Sequence, residues 1–337
     1  MFRKTFRLIF NFLYWISIHP VMCFISSRTD FSHWRRLLAL RFAVNPFMPR
    51  ENSFYGHHRA VRRLGISPYC ANIEHGVYFA DDSERVLWQI SKRQRSLFRV
   101  KRVITFGCHR ARFIHNVIKS QRLDDKVSVV QAGPYILGAK PFLSEIELAS
   151  FRERFGRVLL VFPIHSIETT KINFDINMLI EHIEKVRSSF DTVVISMYWH
   201  DLMMGAWKAY EEKGYEIVCS GRREDPYFLS RQKSLFQLAS AVLSNGVGTH
   251  VGYSVAMGIP CWLFDGQGSY TAKNEHESDS IEKSRDAVRG GNFYSVFPIG
   301  CQITDQQRAW CWNGGEMQND FNSDIVCLAS VVLLLLL

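Results

Sequence analysis

The chain has 337 residues, 47% of them hydrophobic and 22% charged, with a formal net charge of +9. That balance excludes a disordered chain, and the length suits about two domains. The surplus of Lys and Arg points to an anionic membrane surface or a phosphorylated small molecule, and no nucleic-acid reading motif accompanies it.

The N-terminus reads "MFRKTFRLIFNFLYWISIHPVMCFISS". Basic residues precede an aromatic, apolar stretch, as in a signal peptide, but small-residue cleavage chemistry is missing. Asn11 and His19 interrupt the run, and Pro20 is expected to end it. The stretch is marginal for a spanning helix. Arg3, Lys4 and Arg7 beside Phe2, Phe6, Phe10, Phe12, Tyr14 and Trp15 suit a helix lying in a membrane interface. A first helix packed on the core is the other reading.

Short β-branched runs then alternate with longer amphipathic ones. "YCANIEHGV", "RVKRVITFG" and "KVSVVQAGPYI" predict three strands, and "LSEIELASFRERFG" a helix capped by Ser144 and stopped by Gly156. "RVLLVFPI", "DTVVISMYW", "YEIVCSG", "AVLSN" and "IPCWLFD" predict five more strands. Helices are expected between them over 174–190, 202–214, 226–240 and at "GYSVAMG". Strands that are apolar on both faces belong in a parallel sheet. The expected fold is α/β, with two Rossmann-like doubly wound domains facing a cleft. The expected division is an N-terminal helix over 1–30, a first α/β domain over 31–150, a second over 151–300, and a tail over 301–337. The tail ends in "VVLLLLL", too short to span a membrane. The loop from Gly266 to Asp286 is polar.

Ligands of open parallel sheets bind outside the carboxyl ends of the strands. Four consecutive strands here end in polar groups: His165 and Ser166, then His200 and Asp201, then Arg222 and Arg223, then "NGVGTHVG". In that last stretch Ser244, Asn245, Gly246, Gly248, Thr249 and His250 form a small-residue turn into a helix. Such a turn lets backbone N–H groups approach a phosphate. A tight packing turn is the competing explanation for the glycines. For acid–base work, Glu74, His75 and His165 are the candidates; His57, His58 and Arg59 are expected to face the cleft as acceptor or phosphate contacts. The eight cysteines are scattered with no Cys-x-x-Cys, which favours buried thiols in a reducing compartment. No Asp-x-Asp triplet stands at a strand end, so no metal site is expected, and "ADDSE" looks like a loop or a helix cap.

"SNGVGTHVGYSVAMGIPCWLFD" resembles the second-domain motif of GT-B glycosyltransferases and related sugar-nucleotide epimerases. "VLLVFPIHSIE" and "FDTVVISMYWHD" are similar to the first strands of that domain in bacterial surface-polysaccharide transferases, and "IEHGV" to a His-Gly loop of the acceptor-side domain. The resemblance covers roughly residues 65–265. It implies transfer from a nucleotide sugar to a lipid-linked or surface-glycan acceptor. It also implies no metal or further cofactor, and a place on the cytoplasmic face of the bacterial inner membrane. The chain departs from the family at Gly252 and Tyr253, where many members carry a ribose-binding Glu. The donor nucleotide therefore stays open among UDP, GDP and CMP, with His165-Ser166 similar to loops of CMP-sugar users. An epimerase of the same architecture and a non-catalytic scaffold remain the alternatives.

Overall fold

Continuous apolar runs build two parallel sheets, because each strand has to be dry on both faces. The computed structural model describes residues 2–43, 45–76, 82–94, 99–167, 170–272, 293–313 and 326–327. The first sheet takes β1 (Ala71–Ile73), β2 (Arg102–Thr105) and β3 (Ser128–Gln131) in that order. Val326–Cys327, the last strand among the described residues, pairs parallel with β3.

The second sheet is the larger. It holds β4 (Val158–Phe162), β6 (Thr192–Ser196), β7 (Glu216–Val218), β8 (Ala239–Ser244) and β9 (Cys261–Leu263). Their order is β7-β6-β4-β8-β9, with every pair parallel. The chain winds outward from β4 one way and then the other. The strand order thus reverses between β4 and β8, the place where doubly wound sheets open a crevice.

Helices cover both sheets. Ile104 and Ile73 of the first sheet share one core with Leu160 and Val242 of the second, joined by Phe31, Tyr135 and Phe236. The outer face of the first sheet packs on the helices Ser83–Gln94 and Cys108–Ser120 through Ile90, Ile114 and Ile118. The outer face of the second packs on Ile176–Val186 through Leu179 and Ile183. The two lobes are therefore bonded by a common apolar layer. The predicted helix cap at Ser144 is a full capping box: Ser144 accepts from the Glu147 N–H, and Glu147 accepts from the Ser144 N–H.

Three local expectations need correction. The N-terminal helix, α1 (Phe2–Ser26), continues through Pro20 instead of ending there. Its far end is tied down: Ser26 is buried and bonds Asp225 and Arg231. That anchor offsets the bond that Pro removes. The helix expected over 202–214 is two short ones, Trp199–Met203 and Lys208–Glu211, parted at Gly205 with φ +82°. The stretch after β4 is more than a loop: β5 (Thr170–Asn173) pairs antiparallel with β10 (Ser269–Ala272). That ribbon uses the start of the polar segment 266–286, of which 273–286 lie outside the described residues. Of "ADDSE", Ala80 and Asp81 lie outside them too, while Asp82 accepts the Arg85 N–H at the start of its helix, as a cap does.

No helix among the described residues is long and apolar enough to cross a membrane. On α1, Ile9, Leu13, Ile16 and Phe24 are each about half exposed, as are Tyr14 and Val21 beside them. The side chains of Phe2, Arg3, Lys4, Phe6, Arg7 and Phe10 lie outside the described residues.

Candidate functional site

A cavity of about 490 Å³ lies at the carboxyl ends of the second sheet. Residues following four of its strands line it: Ile164 and His165 after β4, Met197 and Tyr198 after β6, Ser220 after β7, and Asn245 to His250 after β8. Tyr55, His57 and His75 close it from the other lobe, and Asp265 and Tyr270 stand on the ribbon side. The Tyr55 and Tyr198 hydroxyls bond at 3.1 Å, so the lobes touch across the space.

The turn after β8 is held tightly. Ser244 is fully buried and donates to the carbonyls of Phe162 and Gly246. A side chain at Gly246 would place its Cβ 2.1 Å from Ile164 Cγ2, so only glycine fits there. Gly248 is extended, and the helix α-turn begins at Thr249, running to Ala256. The first N–H groups of any helix lack intrahelical partners; here Thr249 and His250, which carry two of them, line the cavity, while the Val251 N–H donates to the Gly248 carbonyl at 3.0 Å.

Asn245 adds a second feature. It is 2% exposed, and its Oδ1 accepts the Ile164 N–H at 2.8 Å. That bond fixes which amide atom is which. Its Nδ2 is buried with no partner among the described residues. A buried donor without an acceptor calls for a ligand. Nδ1 of His57 and Nε2 of His250 are likewise buried without a partner among the described residues. The His250 ring stacks on Phe162 at 4.9 Å.

Gly76 shows how closely the lobes meet. Its φ is +112°, and a Cβ there would lie 2.3 Å from Thr249 Oγ1. Gly76→Ala is expected to cost about 2 kcal/mol through overpacking and a disfavoured backbone. A lowered urea midpoint measures it, and an unchanged midpoint would mean that the seam gives way freely.

Burial keeps several of these imidazoles neutral. It pushes His250 down to about 3, with His165 adding to the effect, and His58 down to about 4. His57 is held well below the usual range by burial first and by His75 second. Above about pH 6.5 such rings are neutral folded and unfolded alike. Below it the unfolded chain takes up protons that the folded chain refuses, so stability falls as pH falls. The slope is up to about 1.4 kcal/mol per pH unit for each ring. It levels off near the folded values. Urea midpoints at pH 7 and pH 5 check this, and equal midpoints would show that the rings protonate in place.

The structure divides the residues singled out in the sequence. It brings His57, His75, His165, Asn245, Gly246, Gly248, Thr249 and His250 to one cavity. Glu74 is instead consumed: it is 1% exposed, pairs with Arg110 at 2.9 Å and accepts from Thr105 at 2.7 Å. A carboxylate so paired is no free base. Ser166 bonds Ile172 and holds the ribbon. Ser244 serves the turn internally. Arg222 lies over the Trp199 ring at 4.1 Å and bonds the Leu38 carbonyl, away from the cavity lining. His58 is set among Arg59 and His19 instead. Arg59 covers Tyr227 at 4.4 Å and lines a different pocket.

Tyr55, Tyr198, Tyr270 and Asp265 were not singled out. Tyr198 and Asp265 each lie at the end of a run predicted as a strand, which was the available signal. Tyr55 sits in an irregular segment with φ +56°, and no periodicity marks it. Among the described residues, no three His, Cys, Asp or Glu side chains converge as a metal site. Seven of the eight cysteines have described side chains, and these are free thiols.

No protein-family model matches this chain, and no curated protein does. Among solved structures, the chain is similar to the wall teichoic acid polymerase TagF with a TM-score of 0.36 and 10% identity. The match covers 57% of this chain and 48% of that one, so this chain corresponds to about half of that protein's length. A likeness this slight carries no functional argument. The cavity has to supply it.

Proposed function

We propose that this chain is a glycosyltransferase, moving a sugar from a nucleotide donor to a lipid-linked or surface-glycan acceptor. One observation carries the reading. The helix start at Thr249 and the unpartnered amide of Asn245 line the same inter-lobe cavity. Together they suit a donor's phosphate: backbone N–H groups, one side-chain amide and the Thr249 hydroxyl would share its charge.

His75 takes the place of the base, from the opposite lobe. Its ring is partly buried against Tyr55 at 4.8 Å and Phe54 at 5.6 Å. In a single displacement the acceptor oxygen bonds to the anomeric carbon as that carbon's bond to the phosphate oxygen breaks. His75 accepts the acceptor's proton, and the charge left on the phosphate falls to the turn at 245–250. The stacked pair of His165 and Tyr198, 4.2 Å apart at the cavity edge, offers a flat surface to a base or a sugar. The first helix, α1, would hold the enzyme against an anionic membrane surface where such acceptors lie.

Calorimetry with CMP, UDP and GDP tests the donor half. One of them is expected to bind the unaltered chain, and Asn245→Asp to weaken it about a hundredfold. The variant keeps the bond to Ile164 but turns a donor into a charge facing the phosphate. Absence of binding by all three would defeat the reading, and so would an Asn245→Asp chain that binds as well as before.

A further inference from the structure

A second pocket, of about 290 Å³, opens where the end of α1 meets both lobes. Ser27 lines it, with Gly56, Arg59, Ala60 and Arg63 around the helix His57–Arg63. Lys140 and Ser230 stand opposite. Three cationic side chains line this pocket and no carboxylate does. Among the described residues, none of the three forms an ion pair. Lys233 adds a fourth charge just behind the wall, where its ammonium donates to the carbonyls of Leu137 and Ala139. Such a cluster repels itself when empty and gains when an anion enters.

The pocket also has a direction. The exposed side of α1 carries Ile9, Leu13, Ile16 and Phe24, spaced by four, three and eight residues, hence on one face. No Asp, Glu, Lys or Arg interrupts the sequence between Arg7 and Arg28. Arg28 closes the stripe by lying over the Phe24 ring at 3.7 Å. An apolar stripe this long on a surface helix is a contact surface, and its basic ends select an anionic interface. The stripe runs straight into Ser27 and the cationic pocket.

We propose that this pocket holds the phosphate of an anionic membrane lipid while the α1 stripe lies in the interface beside it. The proposal rests on the membrane seat given to α1 above, and not on the chemistry of the main cavity. The helix His57–Arg63 is shared between the two spaces: His57 lines the main cavity, while Arg59 and Arg63 line this pocket. A lipid bound here would thus set that helix at a defined depth below the membrane surface.

Co-sedimentation with vesicles tests it, comparing phosphatidylcholine alone with phosphatidylcholine containing phosphatidylglycerol. The unaltered chain is expected to bind the second far better. Arg63→Gln with Lys140→Gln should weaken that binding roughly 30-fold, from two lost surface charges. Lys126→Gln with Lys213→Gln removes the same charge before β3 and before β7, and should change it little. Ser230→Tyr fills the pocket without touching a charge and should weaken binding several-fold. Any one of three results would overturn the proposal: equal binding of both vesicles, full binding by the Arg63/Lys140 variant, or full binding by Ser230→Tyr. Calorimetry with inorganic phosphate separates the sources. Phosphate that fills the pocket while these variants sediment normally would mark a site for a soluble anion and reject the lipid. Nucleotide binding by the same variants should match the unaltered chain, so failure here and failure of the transferase reading are told apart.

Discussion

Arg231→Leu is expected to cost about 3–5 kcal/mol of stability and to loosen the far end of α1. The guanidinium is fully buried and uses its whole fork. Its Nε donates to the Thr29 carbonyl at 2.8 Å, and one Nη donates to the Ser220 carbonyl and to Asp225. The other Nη donates to the carbonyl and the hydroxyl of Ser26. Leucine fills much of the volume but strands the Asp225 carboxylate and three carbonyls in a dry place. An unpaired buried charge costs more than the pair itself contributes. Arg231→Leu combined with Asp225→Leu should therefore be less destabilised than Arg231→Leu alone. Arg231→Lys keeps the charge and loses the fork, and should fall between the single leucine variant and the unaltered chain. Urea unfolding measures all three. A single Arg231→Leu chain as stable as the original would show that water reaches this pair.

The second large effect concerns turnover. His75→Ala is expected to lower the transfer rate by about 10²–10⁴-fold while nucleotide affinity changes little, the signature of a group that acts at the transition state. Glu74→Gln, one residue earlier, should behave in the opposite way. Its carboxylate is held by Arg110 and Thr105, so its loss should appear as a lowered unfolding midpoint. A rate unchanged in His75→Ala would move the base elsewhere. His57, whose ring lies 5.9 Å from that of His75, is then the next to test.

The second sheet was legible because burial on both faces forbids polar alternation, and five runs of the chain lack it. The turn at 245–250 was legible as a turn, because a run of small residues separates a buried strand from a helix. Individual polar side chains were not. Ser166, Ser244 and Arg222 stand at strand ends just as Asn245 does, yet the first two satisfy local backbone groups and the third lies on Trp199. Sequence spacing tells which residues reach the rim, not which way each one bonds. The ribbon of β5 and β10 was hidden because "TKIN" and "SYTA" are short and polar, and they pair across about a hundred residues. Glu74 was misjudged because its partner Arg110 comes from a helix 36 positions away.

The way α1 ends has a practical side. It does not trail off the surface but delivers Ser26 into a dry charged nest on the second lobe. Trimming the greasy N-terminus to ease purification would therefore do more than remove an apolar stripe. A shortened chain would let solvent into the joint between the lobes, and any activity measured on it would understate that of the full chain.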